Sequence, residues 1–243
     1  MIDTTALLVL SIGVFTGALV SGFAGFAFSA VAGALLLQVL PPSEAVPLMM
    51  MCSIAVQTTS LVVLRRSMNW QGSAIFLAGG AFGIPLALVL LQHMGAQTFR
   101  VGFGAFLALY SIYMLFRPAA AYLSEIGHWL YDAVVGFAGG FVGGLTAMPG
   151  ALPTMWCDLQ GMPKDAQRGL VQPFIAVMQI FALGLMLWRH ALPARLIVDT
   201  AVSLPALAAG TAAGLAMFGR MSDAWFRRAF LAVLFVAGLA LVL

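Results

Sequence analysis

Two glycine-rich segments are the parts of this sequence whose residue types could bind a ligand. The first is Gly-Phe-Ala-Gly-Phe-Ala-Phe at residues 22–28, and the second is Gly-Gly-Phe-Val-Gly-Gly-Leu-Thr-Ala-Met-Pro-Gly at residues 139–150. Glycine costs about 1 kcal/mol inside a helix and permits a turn, so each segment predicts an interrupted helix. The helix that follows such a break starts with free N–H groups and a positive dipole end, which together suit an anion.

The candidate substrate-binding residues therefore lie at the two breaks. We expect the N–H groups of residues 24–27 and 147–151 to face the ligand, because small side chains there let it approach the backbone. The alternative is close helix packing, which glycine serves equally well in membranes. We favour binding because both motifs occur in one chain whose first apolar segment is too long for a single crossing. The candidates are Gly22, Ala24, Gly25, Phe26, Ala27, Gly143, Gly144, Thr146, Ala147, Pro149 and Gly150.

Three glutamines, Gln57, Gln172 and Gln179, could complete the site from neighbouring spans. A side-chain amide can donate to an anionic oxygen without the desolvation cost of a buried charge. The alternative is a hydrogen bond between helices, worth about 0.6 kcal/mol on average in a membrane protein. Since no Lys or Arg lies in the middle of a predicted span, the site should be mostly neutral and its affinity modest.

The sequence contains no residue pattern that is typical of a catalytic or metal-binding site. An intramembrane enzyme would need a nucleophile with a base, or clustered acids at depth, and the sequence offers neither. The three histidines fall in predicted loops without metal-ligand spacing. We predict no enzymatic activity, no metal and no cofactor. Asp132 and Asp199 could relay a coupling proton, but both lie near span ends, where we expect them to be solvated.

The composition requires a membrane. Of the 243 residues, 63% are hydrophobic and 8% are charged, against roughly 25% charged in a soluble chain. The 11 Lys and Arg residues cluster in short loops, which suits orientation in a bilayer and argues against nucleic-acid binding. We predict an all-α, polytopic bundle of about eight to ten crossing segments, surrounded by lipid in the cell inner (plasma) membrane.

The first apolar stretch, Ala6–Leu40, must break or fold back. Its 35 residues would make a helix about 52 Å long, whereas a bilayer core needs about 30 Å. The expected break is Ser21–Ser29. Further spans are predicted at Ala45–Leu64, Gly72–Gln92 and Thr98–Phe116, followed by the polar loop Arg117–His128.

After that loop, similar elements follow in the same order, which predicts an internal duplication into repeats 1–120 and 121–243. Each match is short, and their common order is the evidence. The matches are GFAG at 22–25 and 136–139; Pro42, Glu44 and Ala45 with Pro163, Asp165 and Ala166; Phe99, Arg100 and Phe103 with Phe226, Arg227 and Phe230; and Gly83 with Gly210.

The basic residues favour inverted repeats. If each glycine-rich segment crosses twice as two short arms, or turns back as a hairpin, the Lys and Arg residues divide eight to three between the two sides. If it crosses once, the repeats are parallel and the division is five to six. The positive-inside rule therefore favours inversion, with these eight residues cytoplasmic: Arg65, Arg66, Arg117, Lys164, Arg168, Arg220, Arg227 and Arg228.

Together these features resemble the TauE/SafE family, also called the toluene-sulfonate uptake permease superfamily. The resemblance covers nearly the whole chain and rests on a glycine-rich motif in each half, a proline-bearing segment after it, and Asn69-Trp70 before the next span. The family pattern is approximately GxGGG followed by proline, and the first copy here lacks both the triple glycine and the proline. The resemblance implies a duplicated membrane protein that moves sulfite, sulfonates, sulfoacetate or related organic anions.

The resulting prediction is a secondary transporter, importer or exporter, of a small anion that binds at a midplane site formed by backbone amides. An anion channel is the first alternative. A non-transporting membrane scaffold and an intramembrane enzyme are weaker ones. Proton coupling, sodium coupling and a homodimer all stay open at this point.

Overall fold

The computed structural model describes residues 4–24, 27–64, 68–116, 129–218 and 223–242. Over these ranges the chain forms ten α-helices and no strand, which confirms the predicted all-α bundle. The helices are α1 Thr4–Ala24, α2 Phe28–Val39, α3 Pro42–Leu64, α4 Trp70–His93, α5 Ala96–Phe116, α6 Trp129–Thr146, α7 Ala151–Leu159, α8 Lys164–Trp188, α9 Leu196–Phe218 and α10 Asp223–Val242.

Helix length separates two kinds of element in the described ranges. The shortest of the eight longer helices, α6, has 18 residues and so measures about 27 Å, nearly the thickness of a bilayer core. The helices α2 and α7 have 12 and 9 residues, too few to cross. Four segments meet both the length and the hydropathy expected of a membrane span: Trp70–His93, Ala96–Phe116, Ala166–Trp188 and Leu196–Met217.

The helices group into two compact units that do not coincide with the predicted repeats. Unit 1 comprises Met1–Val56, His93–Arg117 and Pro193–Leu243, and unit 2 comprises Gln57–Gln92 and Pro118–Leu192. Each unit thus contains segments from both halves of the chain. The division into repeats 1–120 and 121–243 stays a prediction.

Both glycine-rich segments interrupt a helix where the sequence predicts it. In unit 1, α1 ends at Ala24 and α2 begins at Phe28, and in unit 2, α6 ends at Thr146 and α7 begins at Ala151. The predicted loop 117–128 lies outside the described residues.

The contacts across each break show a hairpin. In unit 1, Gly17 lies against Phe28 and Ala32, whereas Gly13, one turn earlier, lies against Leu35 and Leu36. Residues earlier in α1 thus contact residues later in α2, so the two helices are antiparallel. Of the arrangements that the sequence leaves open, these contacts do not fit a segment that continues in one direction as a single crossing.

The second break repeats this geometry in unit 2. Gly143 lies against Pro149, and Gly139, one turn earlier, lies against Pro153. The helices α6 and α7 are thus antiparallel as well. Because neither glycine has a side chain, α7 can pack directly on the backbone of α6.

Glycines also bring α4 onto α6 within unit 2. A Cβ at Gly83 would lie 2.7 Å from the Phe141 nitrogen and would also meet the Phe137 oxygen. Gly136 on α6 lies against Phe76 in the same interface. The two helices therefore touch backbone to backbone, as expected where small residues mediate helix association in a membrane.

The interface of α9 with α1 in unit 1 has the same contact pattern. The residues of α1 that Gly210 contacts have the same spacing as the residues of α6 that Gly83 contacts. The next contact lies four residues further along α9 in unit 1 and along α4 in unit 2. The paired contacts are Gly210 with Phe15, Ala18 and Leu19; Gly83 with Phe137, Gly140 and Phe141; Gly214 with Gly22; and Ala87 with Gly144. In each unit the opening helix of one half packs against the fourth helix of the other half.

The Asn-Trp motif fixes the start of α4 on α8. Pro173 lies inside α8 and has no N–H, so it leaves the carbonyl of Gly169 without its usual helical donor. The N–H of Asn69 donates to that carbonyl at 2.9 Å. The side-chain Oδ1 of Asn69 also accepts the N–H of Gly72 at 2.8 Å, which satisfies a free donor at the start of α4.

Replacing Gly83 by alanine should lower the unfolding temperature of the purified protein in detergent. The added methyl group would press on the backbone of α6, which cannot rotate away as a side chain can, and such overpacking costs about 1–3 kcal/mol. The control is Gly102→Ala in α5, because nothing lies within 4 Å of a Cβ there. That variant should match or exceed the wild-type unfolding temperature, since alanine favours the helix. Equal losses in the two variants would contradict the assigned interface.

Candidate anion-binding site

The turn between α6 and α7 is built on one strained residue. Ala147 has a φ of 59°, a left-handed conformation that costs an alanine about 1–2 kcal/mol. Its N–H donates to the carbonyl of Gly143 at 2.8 Å. A Cβ at Gly143 would lie 2.7 Å from the Cα of Pro149, so only glycine allows the chain to fold back this tightly.

The turn leaves three backbone donors free. The N–H groups of Met148, Gly150 and Leu152 donate no hydrogen bond among the described residues. The remaining donors are used within the turn: Ala147 donates to Gly143, Ala151 to Met148, and Thr154 to Gly150. Met148 and Gly150 are buried, where an unpaired N–H costs about as much as a lost hydrogen bond. Free donors at the start of a helix are what an anion site requires.

Gln179 of α8 lies directly beside this turn. Its Nε2 donates to the carbonyl oxygen of Ala147 at 3.1 Å, and both residues are 2% exposed. The structure thus brings Gln179 to the predicted break, but uses one of its two amide N–H groups on the protein backbone.

The other two glutamines are also buried. Gln172 lies two turns before Gln179 on α8 and is 3% exposed, and Gln57 lies in α3 and is 2% exposed. The Oε1 of Gln57 has no hydrogen-bond partner among the described residues. Their predicted contact with substrate stays a prediction.

Helix packing accounts for two of the predicted site glycines without a ligand. A Cβ at Gly22 would lie 3.0 Å from the Thr211 oxygen in unit 1, and one at Gly144 would lie 2.6 Å from the Cβ of Ala87 in unit 2. The alternative considered from the sequence, small residues at helix contacts, therefore describes their surroundings.

The remaining candidates have mixed surroundings. Thr146 Oγ1 donates to the carbonyl of Val142 at 2.7 Å within its own helix, and a Cβ at Gly150 would press on Ile175 of α8. Ala24 ends α1, and Ala27 is buried immediately before α2. Gly25 and Phe26 lie outside the described residues.

A comparison with known protein families decides the identity of the chain. The model of the sulfite exporter TauE/SafE family matches residues 9–241. The chain belongs to the TauE/SafE family. This confirms the resemblance seen in the sequence, and the protein is an integral membrane transporter of the sulfite and related-anion exporter type. Comparisons with curated proteins and with solved structures gave no match.

Two hydrogen bonds that hold the hairpin of this TauE/SafE protein were not predicted. Trp156 Nε1 donates to Asp132 Oδ1 at 2.7 Å, which ties α7 to the start of α6. Gln167 Nε2 of α8 donates to the carbonyl of Thr154 at 2.7 Å. Asp132, expected to be solvated, is half-buried and bonded. No local signal could have found these pairs, because the partners are far apart in sequence.

Replacing Ala147 by glycine should cost less stability than replacing Ala151 by glycine. Both alanines are buried, at 2% and 1% exposure, so each variant loses one methyl group and gains the same freedom in the unfolded chain. Only the change at Ala147 relieves a left-handed alanine. We expect the two free energies of unfolding to differ by about 1 kcal/mol in favour of Ala147→Gly. Equal values in reversible unfolding experiments would show that the turn is unstrained.

Proposed function

We propose that this TauE/SafE protein is a secondary transporter that binds sulfite, a sulfonate or a related organic anion at the turn between α6 and α7 and carries it by alternating access. Family membership supports a transported anion. The free N–H groups of Met148, Gly150 and Leu152 support the position of the site, and they are the observation on which the proposal rests.

The place of Gln179 in its helix supports a site at depth. Nine residues separate Gln179 from the end of α8 at Trp188, a distance of about 13 Å along the axis. This is close to half of a bilayer core about 30 Å thick. The turn that Gln179 contacts is therefore proposed to lie near the membrane midplane.

The absence of nearby charge on α8 indicates how the anion is held. Between Arg168 and the last residue of α8, Trp188, the sequence contains no Asp, Glu, Lys or Arg, and Arg168 is about 16 Å along the axis from Gln179. Backbone dipoles would therefore have to balance the charge of the anion. Such a site binds modestly, which suits a carrier that must also release its substrate.

We further propose that the two halves are inverted repeats. The matching contacts around Gly210 and Gly83 support the duplication. These contacts align Gly22 with Gly144, whereas the two GFAG strings align Gly22 with Gly136. A hairpin returns the chain to the side from which it entered, so the three longer helices that follow it in each half are the net passages. An odd number of passages inverts the second half and gives the eight-to-three division of Lys and Arg, with the larger set cytoplasmic and the protein in the inner membrane.

Small sulfur oxyanions should stabilise the purified protein and exchange across vesicles that contain it. We expect sulfite, methanesulfonate or sulfoacetate to raise the unfolding temperature, since a ligand at 100 times its dissociation constant adds about 2.7 kcal/mol. Carboxylates and phosphate are the comparison set. In proteoliposomes, uptake should saturate and show counterflow. Large currents without counterflow would indicate a channel, and no response to any anion would refute the proposal.

Replacing Leu152 by proline should weaken anion binding, because proline removes one of the three free N–H groups. Proline is tolerated in the first turn of a helix, where the N–H has no helical acceptor. A hydrogen bond to a charged group contributes about 1.5–3 kcal/mol, so the dissociation constant should rise roughly 10- to 100-fold.

The matched control is Leu152→Ala, which shortens the side chain and keeps the N–H. It should bind the anion like the wild type. A folded Leu152→Pro protein with wild-type affinity would place the anion elsewhere.

A further inference from the structure

One peptide group contains both the acceptor of Gln179 and one of the free donors. The carbonyl of Ala147 and the N–H of Met148 belong to the same peptide unit. That unit is planar, so its oxygen and hydrogen point in opposite directions. The hydrogen bond of 3.1 Å from Gln179 Nε2 to the Ala147 oxygen therefore also fixes the direction in which the Met148 N–H points.

The orientation of this peptide group must be fixed by surrounding bonds. Ala147 has a φ of 59°, in a sparsely populated region where a residue stays only if its surroundings fix it. The bond from its own N–H to Gly143 fixes the preceding peptide group. The bond from Gln179 fixes the following one, whose N–H has no protein acceptor among the described residues.

We propose that Gln179 is a positioning residue, which aims the Met148 N–H into the anion site and does not itself bind the anion. This inference rests on the function proposed above and replaces direct substrate contact as the role of Gln179. Because Gln179 is buried, at 2% exposure, water does not compete for the Ala147 carbonyl, and the orientation of the Met148 N–H is stabilised.

The chain offers a matched control on the same helix. Gln167 of α8 also donates its Nε2 to a carbonyl of the hairpin, that of Thr154, at 2.7 Å. The N–H that shares a peptide group with this carbonyl belongs to Met155, which lies inside α7. Losing the Gln167 bond thus removes a similar contact between α8 and the hairpin without turning a free donor.

The experiment compares Gln179→Met with Gln167→Met, since methionine keeps the length of the side chain and removes the donor. Unfolding temperature and the dissociation constant for methanesulfonate are measured in detergent, and the KM for counterflow is measured in proteoliposomes. Both variants should lose similar stability. Gln179→Met should raise the dissociation constant and the KM about tenfold, as expected for a misdirected hydrogen bond to an anion, while Gln167→Met should keep wild-type values.

Three results would overturn the inference. Wild-type affinity in a destabilised Gln179→Met protein would leave Gln179 a structural role only. Equal losses of affinity in both variants would assign the effect to general loosening of the hairpin. A wild-type protein that neither binds nor moves any anion would refute the proposed function itself, which is a distinct outcome. Should Gln179→Met fail to fold, Gln179→Asn replaces it, because its amide is one methylene too short to reach the carbonyl.

Discussion

Inside a bilayer every backbone N–H and C=O must find a partner within the protein, because lipid offers none. The turn between α6 and α7 meets this requirement only in part. Several of its carbonyls and N–H groups bond to one another or to α8, and three N–H groups have no acceptor within the part of the chain that the structure describes. Because an unsatisfied buried donor is costly, such a turn suits a ligand that accepts hydrogen bonds, and this is the basis of the proposed anion site.

The glycines provide the close approaches that make this turn stable. Gly139 and Gly143 let α7 fold back on α6, while Gly136 and Gly140 let α4 press on a neighbouring face of α6. Without the hydrophobic effect to drive helices together, such backbone contacts and a few hydrogen bonds provide most of the association energy. The bonds from Asn69, Gln167 and Gln179 join α4 and α8 to one another and to the hairpin. The strained Ala147 thus lies within a part of unit 2 that is fixed on several sides.

A site made of dipoles suits transport better than one made of fixed charges. A buried arginine would need its own counter-ion whenever the substrate leaves, at a large desolvation cost. Free N–H groups have no such requirement, so the empty and loaded states can differ little in energy. The membership of the chain in the TauE/SafE family and the neutrality of α8 around Gln179 are consistent with this type of binding.

Composition and hydropathy determined the fold class, the approximate bounds of α3, α4 and α5 and the positions of both breaks, because these depend on local properties such as apolar run length and glycine content. Only the tertiary structure decided what each break becomes. The hairpins depend on contacts such as Gly143 with Pro149. The alignment of the two halves that pairs Gly22 with Gly144 depends on which helices contact each other. The repeated GFAG string indicated a different alignment, with Gly22 paired with Gly136. The bonds from Gln179 to Ala147 and from Asn69 to Gly169 likewise join residues distant in sequence. A sequence pattern records what each segment prefers, and the partners that satisfy it are chosen only when the chain packs.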